Sequence, residues 1–318
     1  MYRDPDGKRI TNAAEIQHLK ELVVPPAWTD VWICTDPRGH LQATGRDSKG
    51  RKVYRYHPEY RAQRDRDKFD RLADFGAALG RIRRHVADDL AGGKLSRDKV
   101  LAAVVQLLER TMIRVGNEEY AQANRSYGLT TLRSRHARCR GNGVRFIFRG
   151  KSGRDHRVTL NDRRLARVVR RCQDLPGQQL FQYIDEDGEP RSVTSTDVNE
   201  YLRGIAGLDV TAKDFRTWLG TLLAAQALVE AGRPRSERLQ QTRLREIVAG
   251  VADTLGNTPT VCRTSYIHPK VVDAYLNGSL PRKWATGPSR DARGLLAAER
   301  KLLALLRPGN NGIKARAA

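Results

Sequence analysis

VRFIFRGKSGRDHRVTL, residues 144–160, alternates twice about a turn. Val144, Phe146 and Phe148 are spaced by two before it, and His156, Val158 and Leu160 are spaced by two after it. That is the period of strands with one buried face. Gly150-Lys151-Ser152-Gly153 supplies the turn between them, so the segment predicts a β-hairpin. Its flanks read differently. Leu72, Phe75, Leu79, Ile82, Val86 and Leu90 recur at helical spacing until Gly92-Gly93. Ser96 caps a second helix, with Leu101, Val104, Val105, Leu108 and Met112 facing a core. LTTLRSRHARC, residues 129–139, reads as a further strand. From Asp162 onward the patterns are mainly helical. Leu239, Ile247, Val248, Val251 and Leu255 form a stripe that Gly256 ends as a C-terminal cap. Thr258 caps a new helix with Pro259 at its first position, and Tyr266 lies about two turns in.

The N-terminal part lacks such long helical patterns. DVWICTDPRGHLQATGRDSKG, residues 30–50, reads as two short strands around Asp36-Pro37-Arg38-Gly39, and RKVYRYHPEY follows. The expected fold class is α+β. A small β-rich domain covers residues 1–66, and a larger, mainly helical domain with a short sheet and hairpin covers residues 67–318. The tail from about residue 308 is expected to be flexible. A chain of 318 residues is long enough for two domains and a sizeable core.

Charge narrows the function. Lys and Arg total 58 against 36 acids, a net charge of +22. The excess is spread along the chain rather than confined to tails, which points to a nucleic-acid partner. Arginine suits phosphate because its planar fork donates two hydrogen bonds at once. No run of about 18 apolar residues appears, so no membrane partner is expected. The polar start MYRDPDGKRI lacks the apolar centre of a signal peptide; a cytoplasmic, nucleoid-associated protein is expected. Cys34, Cys139, Cys172 and Cys262 are scattered without a CxxC pair, and free thiols are the expected state.

The chemistry follows by elimination. No GxxxxGK[ST] loop is present, so no nucleotide is expected. DEDGE, residues 185–189, reads as a solvated turn, and no carboxylate or histidine cluster suggests a metal. A metal-free route to phosphodiester chemistry remains: a tyrosine attacks phosphorus and holds a covalent phosphotyrosine. Such a reaction needs cations on the non-bridging oxygens and a proton donor for the leaving oxygen. Arg114, Arg216, Lys151 and Tyr266 could supply these, although each alone is equally an ordinary helix-end arginine, snorkelling arginine, turn lysine or packing tyrosine.

Taken in order, GRDSKGRKVYRYH (45–57), IRVGNEEY (113–120), GLTTL (128–132), GKSG (150–153), KDFRTWLG (213–220) and GNTPTVCRTSY (256–266) each resemble a block of the type IB DNA topoisomerases, in their compact poxvirus and bacterial branch. The resemblance runs from residue 1 to about 280. It implies that Tyr266 is the nucleophile, that Arg114 and Arg216 bind the scissile phosphate, and that Lys151 is the general acid. Tyr120 and Lys213 match DNA-contacting positions beside the site. Lys49, Arg51, Tyr54 and Tyr56 match a segment that meets the major groove. It further implies a monomer clamping duplex DNA as a C, with a 3′-phosphotyrosyl intermediate, relaxation of supercoils, and no cofactor, ATP or metal.

Two positions depart from the family pattern. Many relatives carry histidine where this chain has Asn257; an amide still donates a hydrogen bond to phosphate but carries no charge. The glutamine often found beside the first groove tyrosine is Val53 here, so base readout does not carry over. A tyrosine recombinase would use nearly the same residues, but usually reads HxxR where this chain has Lys213-Asp-Phe-Arg216. A non-enzymatic basic DNA-binding protein is the other alternative.

Overall fold

The computed structural model describes residues 2–4, 6–48, 50–280, 291 and 294–307. Lys49 and the tail from residue 308 lie outside the described residues. The chain divides into two compact units, the first ending at Asp70 and the second beginning at Arg71.

In the first unit, Asn12 caps helix α1 (Ala13–Glu21) by accepting hydrogen bonds from the Ala14 and Glu15 amides. Strands β1 (Thr29–Ile33), β2 (Leu41–Arg46) and β3 (Lys52–Tyr56) form an antiparallel sheet in that order. The Asp36–Gly39 turn between β1 and β2 is closed by the Gly39 amide donating to the Asp36 carbonyl at 3.0 Å. Helix α2 (Pro58–Asp70) ends the unit. The sequence reading missed both helices. In α2 only Phe69 is buried, so the helix has no apolar stripe from which a period could be read. It runs straight through residue 66, where the sequence changes character.

In the second unit, α3 (Leu72–Ala91) and α4 (Arg97–Thr111) pack along each other as their stripes require. Ser96 caps α4, accepting from the Lys99 amide. After α5 (Glu118–Asn124), strands β4 (Ala137–Arg140), β5 (Gly143–Arg149) and β6 (Asp155–Asn161) form an antiparallel sheet. The hairpin has the register its alternation requires: Val144 opposite Leu160, Phe146 opposite Val158, Phe148 opposite His156. Helix α6 (Arg163–Gln173) covers this sheet; a short hairpin of β7 (Gln182–Ile184) and β8 (Pro190–Ser192) follows. Then come α7 (Ser195–Ala206), α8 (Ala212–Ala231), α9 (Glu237–Leu255), α10 (Pro259–Ser265), α11 (Pro269–Leu276) and α12 (Ala297–Leu306). Arg83 of α3 forks onto both carboxylate oxygens of Glu299 at 2.7 Å and donates to Glu109 at 2.7 Å, tying α4 and α12 to α3 inside the protein.

Four expectations are corrected. Of residues 129–139 only the last three are strand, the start of β4; Leu129–Thr131 and Ser134–His136 are 3-10 turns. The Leu129 and Thr130 amides donate to Arg114 and Val115 instead of to a ladder. Leu239 is 57 % exposed, and α9 buries Gln240, Leu244, Val248, Val251, Ala252 and Leu255 instead. Met112 packs half-buried against the core as expected, but as the left-handed C-cap of α4, at φ 57°, rather than within the helix. The β7–β8 hairpin was unforeseen because its strands are three residues each, too short for alternation to show.

α8 lies against α3 at a point where α3 has no side chain. A methyl group at Gly76 would sit 2.3 Å from two ring carbons of Trp218. Gly76→Ala therefore forces the indole or the helix aside, and overpacking of this kind costs roughly 1–3 kcal/mol. Thermal unfolding of Gly76→Ala should show a lowered midpoint; an unchanged or raised midpoint would contradict this packing.

Candidate active site

Arg114 is not on a helix. Met112 turns the chain out of α4, and residues 113–116 belong to neither helix nor strand. Two backbone bonds hold that run: Leu129 N–H donates to the Arg114 carbonyl at 2.9 Å, and Thr130 N–H to the Val115 carbonyl at 2.7 Å. The approach is close enough that a Cβ on Gly128 would lie 2.5 Å from Gly116 backbone and 2.6 Å from the Arg114 oxygen. The IRVG and GLTTL blocks are thus one structural unit, and Gly128 allows their main chains to touch.

Arg216 lies in the second turn of α8 and is only 5 % exposed. Its guanidinium donates to the Met112 carbonyl and, at 2.5 Å, to the Leu255 carbonyl. These oxygens end α4 and α9, so the cation sits where the negative ends of two helices converge. Arg114 and Asn257 emerge immediately beyond those two ends. Arg114 Nη2 donates to Asn257 Oδ1 at 2.7 Å, which leaves Nδ2 as the free end of the amide. That Nδ2 is buried and has no hydrogen-bond partner. Arg216 Nε is buried and unpartnered as well. Unsatisfied buried donors are costly, and the Tyr266 side chain is the group close enough to Arg216 to hydrogen-bond it.

Tyr266 is the residue at which α10 stops, half-buried, its amide donating to the Cys262 carbonyl at 2.9 Å. Its ring lies 5.3 Å from the Arg216 guanidinium carbon. Burial, and then the neighbouring Arg216 charge, lower the pKa of Arg114; burial lowers that of Arg216, with Tyr266 acting the other way. Crowding two desolvated cations is unfavourable until an anion enters between them.

Lys151 is exposed at the turn between β5 and β6, where Ser152 and Gly153 have left-handed backbones at φ 63° and 74°. The turn end of that hairpin belongs to the same neighbourhood. His156 is lowered in pKa by burial first and then by Arg114, Arg216 and Arg154, so its imidazole is held neutral there. It stacks on Phe148 with ring centroids 4.9 Å apart. Gly150 rests on it so closely that a Cβ would be 2.5 Å from the ring. Sequence reasoning placed His156 on the inner face of the hairpin but missed its place beside the arginines. Tyr120, half-buried on α5, is electrostatically coupled to Arg114, whereas Lys213 is exposed in the first turn of α8.

The first unit carries the remaining candidates. Tyr54 and Tyr56, 48 % and 46 % exposed, share one face of β3 with ring centroids 6.2 Å apart. Tyr60 and His40 continue the row at 5.8 Å and 4.4 Å. Arg51 is engaged by Asp47, Nε to Oδ2 at 2.7 Å, so any phosphate contact it makes must share that guanidinium. Among the described residues, no three His, Cys, Asp or Glu side chains gather as metal ligands, and no helix is long and apolar enough to cross a membrane.

A tyrosine-bearing helix end set against a buried arginine, a half-buried arginine and an amide, on a mostly helical scaffold with a small sheet, is an arrangement suited to holding a phosphate. Comparison with known proteins gives the family. The family described as eukaryotic DNA topoisomerase I, catalytic core, matches residues 57–282. The N-terminal domain of bacterial DNA topoisomerase IB matches residues 1–47. The protein named DNA topoisomerase 1B from Acanthamoeba polyphaga mimivirus is 32 % identical over 284 residues, which is 87 % of this chain and 84 % of that protein. The chain belongs to the type IB DNA topoisomerases.

Proposed function

We propose that the chain relaxes supercoiled duplex DNA by cutting and resealing one strand through a covalent bond to Tyr266. The observation that carries this reading is the pair of buried, unpartnered donors, Arg216 Nε and Asn257 Nδ2, gathered with Arg114 beside the Tyr266 ring. A phosphate is the acceptor that chemistry of this kind suits. The Tyr266 hydroxyl gives its proton to water as its oxygen attacks phosphorus, forming the O–P bond of a 3′-phosphotyrosine while the bond to the 5′ oxygen breaks. Arg114, Arg216 and Asn257 hold the non-bridging oxygens as charge builds on them. Lys151, at the end of its hairpin, donates the proton that the departing 5′ oxygen takes up. The cut end rotates about the intact strand; the 5′ hydroxyl then attacks the phosphotyrosine and restores the backbone. One phosphodiester is exchanged for another at each step, so the cycle needs no nucleotide.

In the same reading the two units close around the duplex as a C-shaped clamp, in a monomer. The exposed row of Tyr54, Tyr56 and Tyr60 meets the DNA. Lys213 and Tyr120 contact phosphates flanking the cut, with Arg51 and Lys49 in the groove. The domain division is proposed close to residue 66, in keeping with the compact units that part after Asp70.

Purified protein incubated with supercoiled plasmid in EDTA, without nucleotide, should yield a ladder of relaxed topoisomers. Relaxation that appears only after Mg²⁺ or ATP is added would overturn the metal-free mechanism. Joining of two separate duplexes without relaxation would favour a recombinase.

A further inference from the structure

α10 is only two turns long, and Tyr266 stands at its frayed end. Something outside the helix must therefore fix the phenol relative to Arg216. The contacts that do so come from α8, one turn beyond Arg216 itself. Gly220 faces the nucleophile's main chain: a Cβ there would lie 2.8 Å from the Tyr266 carbonyl oxygen and 3.3 Å from Tyr266 Cβ. Thr221, wholly buried, brings its hydroxyl within 3.2 Å of that same carbonyl and accepts the His268 amide at 3.1 Å. The hydroxyl also reaches the Thr217 carbonyl at 2.7 Å. It has one proton, so it donates either to Thr217 or to Tyr266, while its lone pair receives His268 in both cases. One side chain thus grips the main chain immediately on each side of the buried Ile267.

We infer that Thr221, with the bare backbone of Gly220 beside it, is the positioning residue for Tyr266, setting the phenol oxygen at attacking distance from a phosphate bound by Arg216 on the same helix. The seat and the phosphate ligand share one rigid element, so their separation does not depend on how α10 moves. The inference rests on Tyr266 being the nucleophile. Thr221 touches no reacting atom. Its effect is on geometry, and a misplacement of about 1 Å is enough to cost on the order of a hundredfold in rate.

The test is single-turnover cleavage and religation on a short duplex, with DNA affinity and thermal midpoint measured on the same samples. Thr221→Val removes the hydroxyl at constant shape and should slow both cleavage and religation by about 10- to 100-fold, with affinity unchanged. Thr221→Ser keeps the hydroxyl and should restore both rates. Gly220→Ala, which pushes on the Tyr266 carbonyl, should reproduce the valine phenotype. Leu228→Ala, a core truncation two turns further along α8, controls for stability. If Leu228→Ala with the same loss of thermal midpoint slows cleavage equally, or if Thr221→Val cleaves like wild type, the inference is overturned. Failure of the underlying reading looks different: wild type would form no adduct, or Tyr266→Phe would still form one.

Discussion

Tyr266→Phe should abolish covalent capture of DNA and plasmid relaxation while leaving duplex affinity essentially unchanged. The substitution removes one oxygen. The ring remains, and with it the contact across 5.3 Å to Arg216 and the backbone bonds to Cys262 and Thr221. The fold and the arginines proposed to bind phosphate are therefore retained, and only the oxygen proposed to attack is lost. Loss of a covalent nucleophile costs on the order of 10⁵-fold or more where a site depends on it. Denaturing gels of end-labelled duplex read the adduct directly, and filter binding at several salt concentrations reads affinity. Binding of both proteins should weaken steeply with salt, because much of the affinity comes from phosphates neutralised by a chain of net charge +22. An adduct that persists in the phenylalanine variant would place the nucleophile elsewhere. Identical gels for wild type and variant, both without adduct, would leave only a DNA-binding protein.

Arg216→Lys should lower single-turnover cleavage by about 10²- to 10³-fold, the loss typical of removing one preorganised donor from a developing anion. Charge is conserved, so a reading in which Arg216 merely adds to the basic surface expects little change. The structure makes the swap severe. The guanidinium is tied on one side to Met112 and Leu255 carbonyls while its Nε remains to be used. An ammonium is a single point and cannot span two helix ends and a phosphate at once. Arg216→Ala should add a stability loss, since each buried acceptor left without a donor costs about 1–3 kcal/mol. Urea unfolding separates the two effects: lysine should lose more rate than stability, and alanine should lose both. Cleavage by Arg216→Lys at the wild-type rate would remove this arginine from the catalytic assignment.

The fold was readable where a period was long enough to show. Leu72 to Leu90 and Val144 to Leu160 carry their periodicities over several repeats, and α3 and the β5–β6 hairpin stand where those repeats put them. Capping was readable for the same local reason: Ser96, Thr258 and Gly256 act on their own helix ends. Where the deciding contact lay far along the chain, the reading failed. Residues 129–132 are partly apolar and so resemble a strand, but they fold as a 3-10 turn, and the Leu129 and Thr130 amides are taken by Arg114 and Val115, whose proximity no local pattern announces. α2 failed for the opposite reason, being charged on nearly every side.

The candidate site divides in the same way. The order of the resembling blocks singled out Tyr266, Arg114, Arg216, Lys151 and Asn257; residue type alone could not, in a chain with 58 lysines and arginines and 10 tyrosines. The sequence also fixed the alternation that turns His156 inward. Tertiary structure alone decided that the ends of α4 and α9 meet on Arg216, that Asn257 is aligned by Arg114, and that Gly220 and Thr221 lie against the main chain of Tyr266. Period and capping are properties of neighbours a few residues apart, whereas these contacts join residues 39 to 143 positions apart. Nothing local encodes such a meeting; it exists only once the apolar stripes have packed and carried the helix ends together.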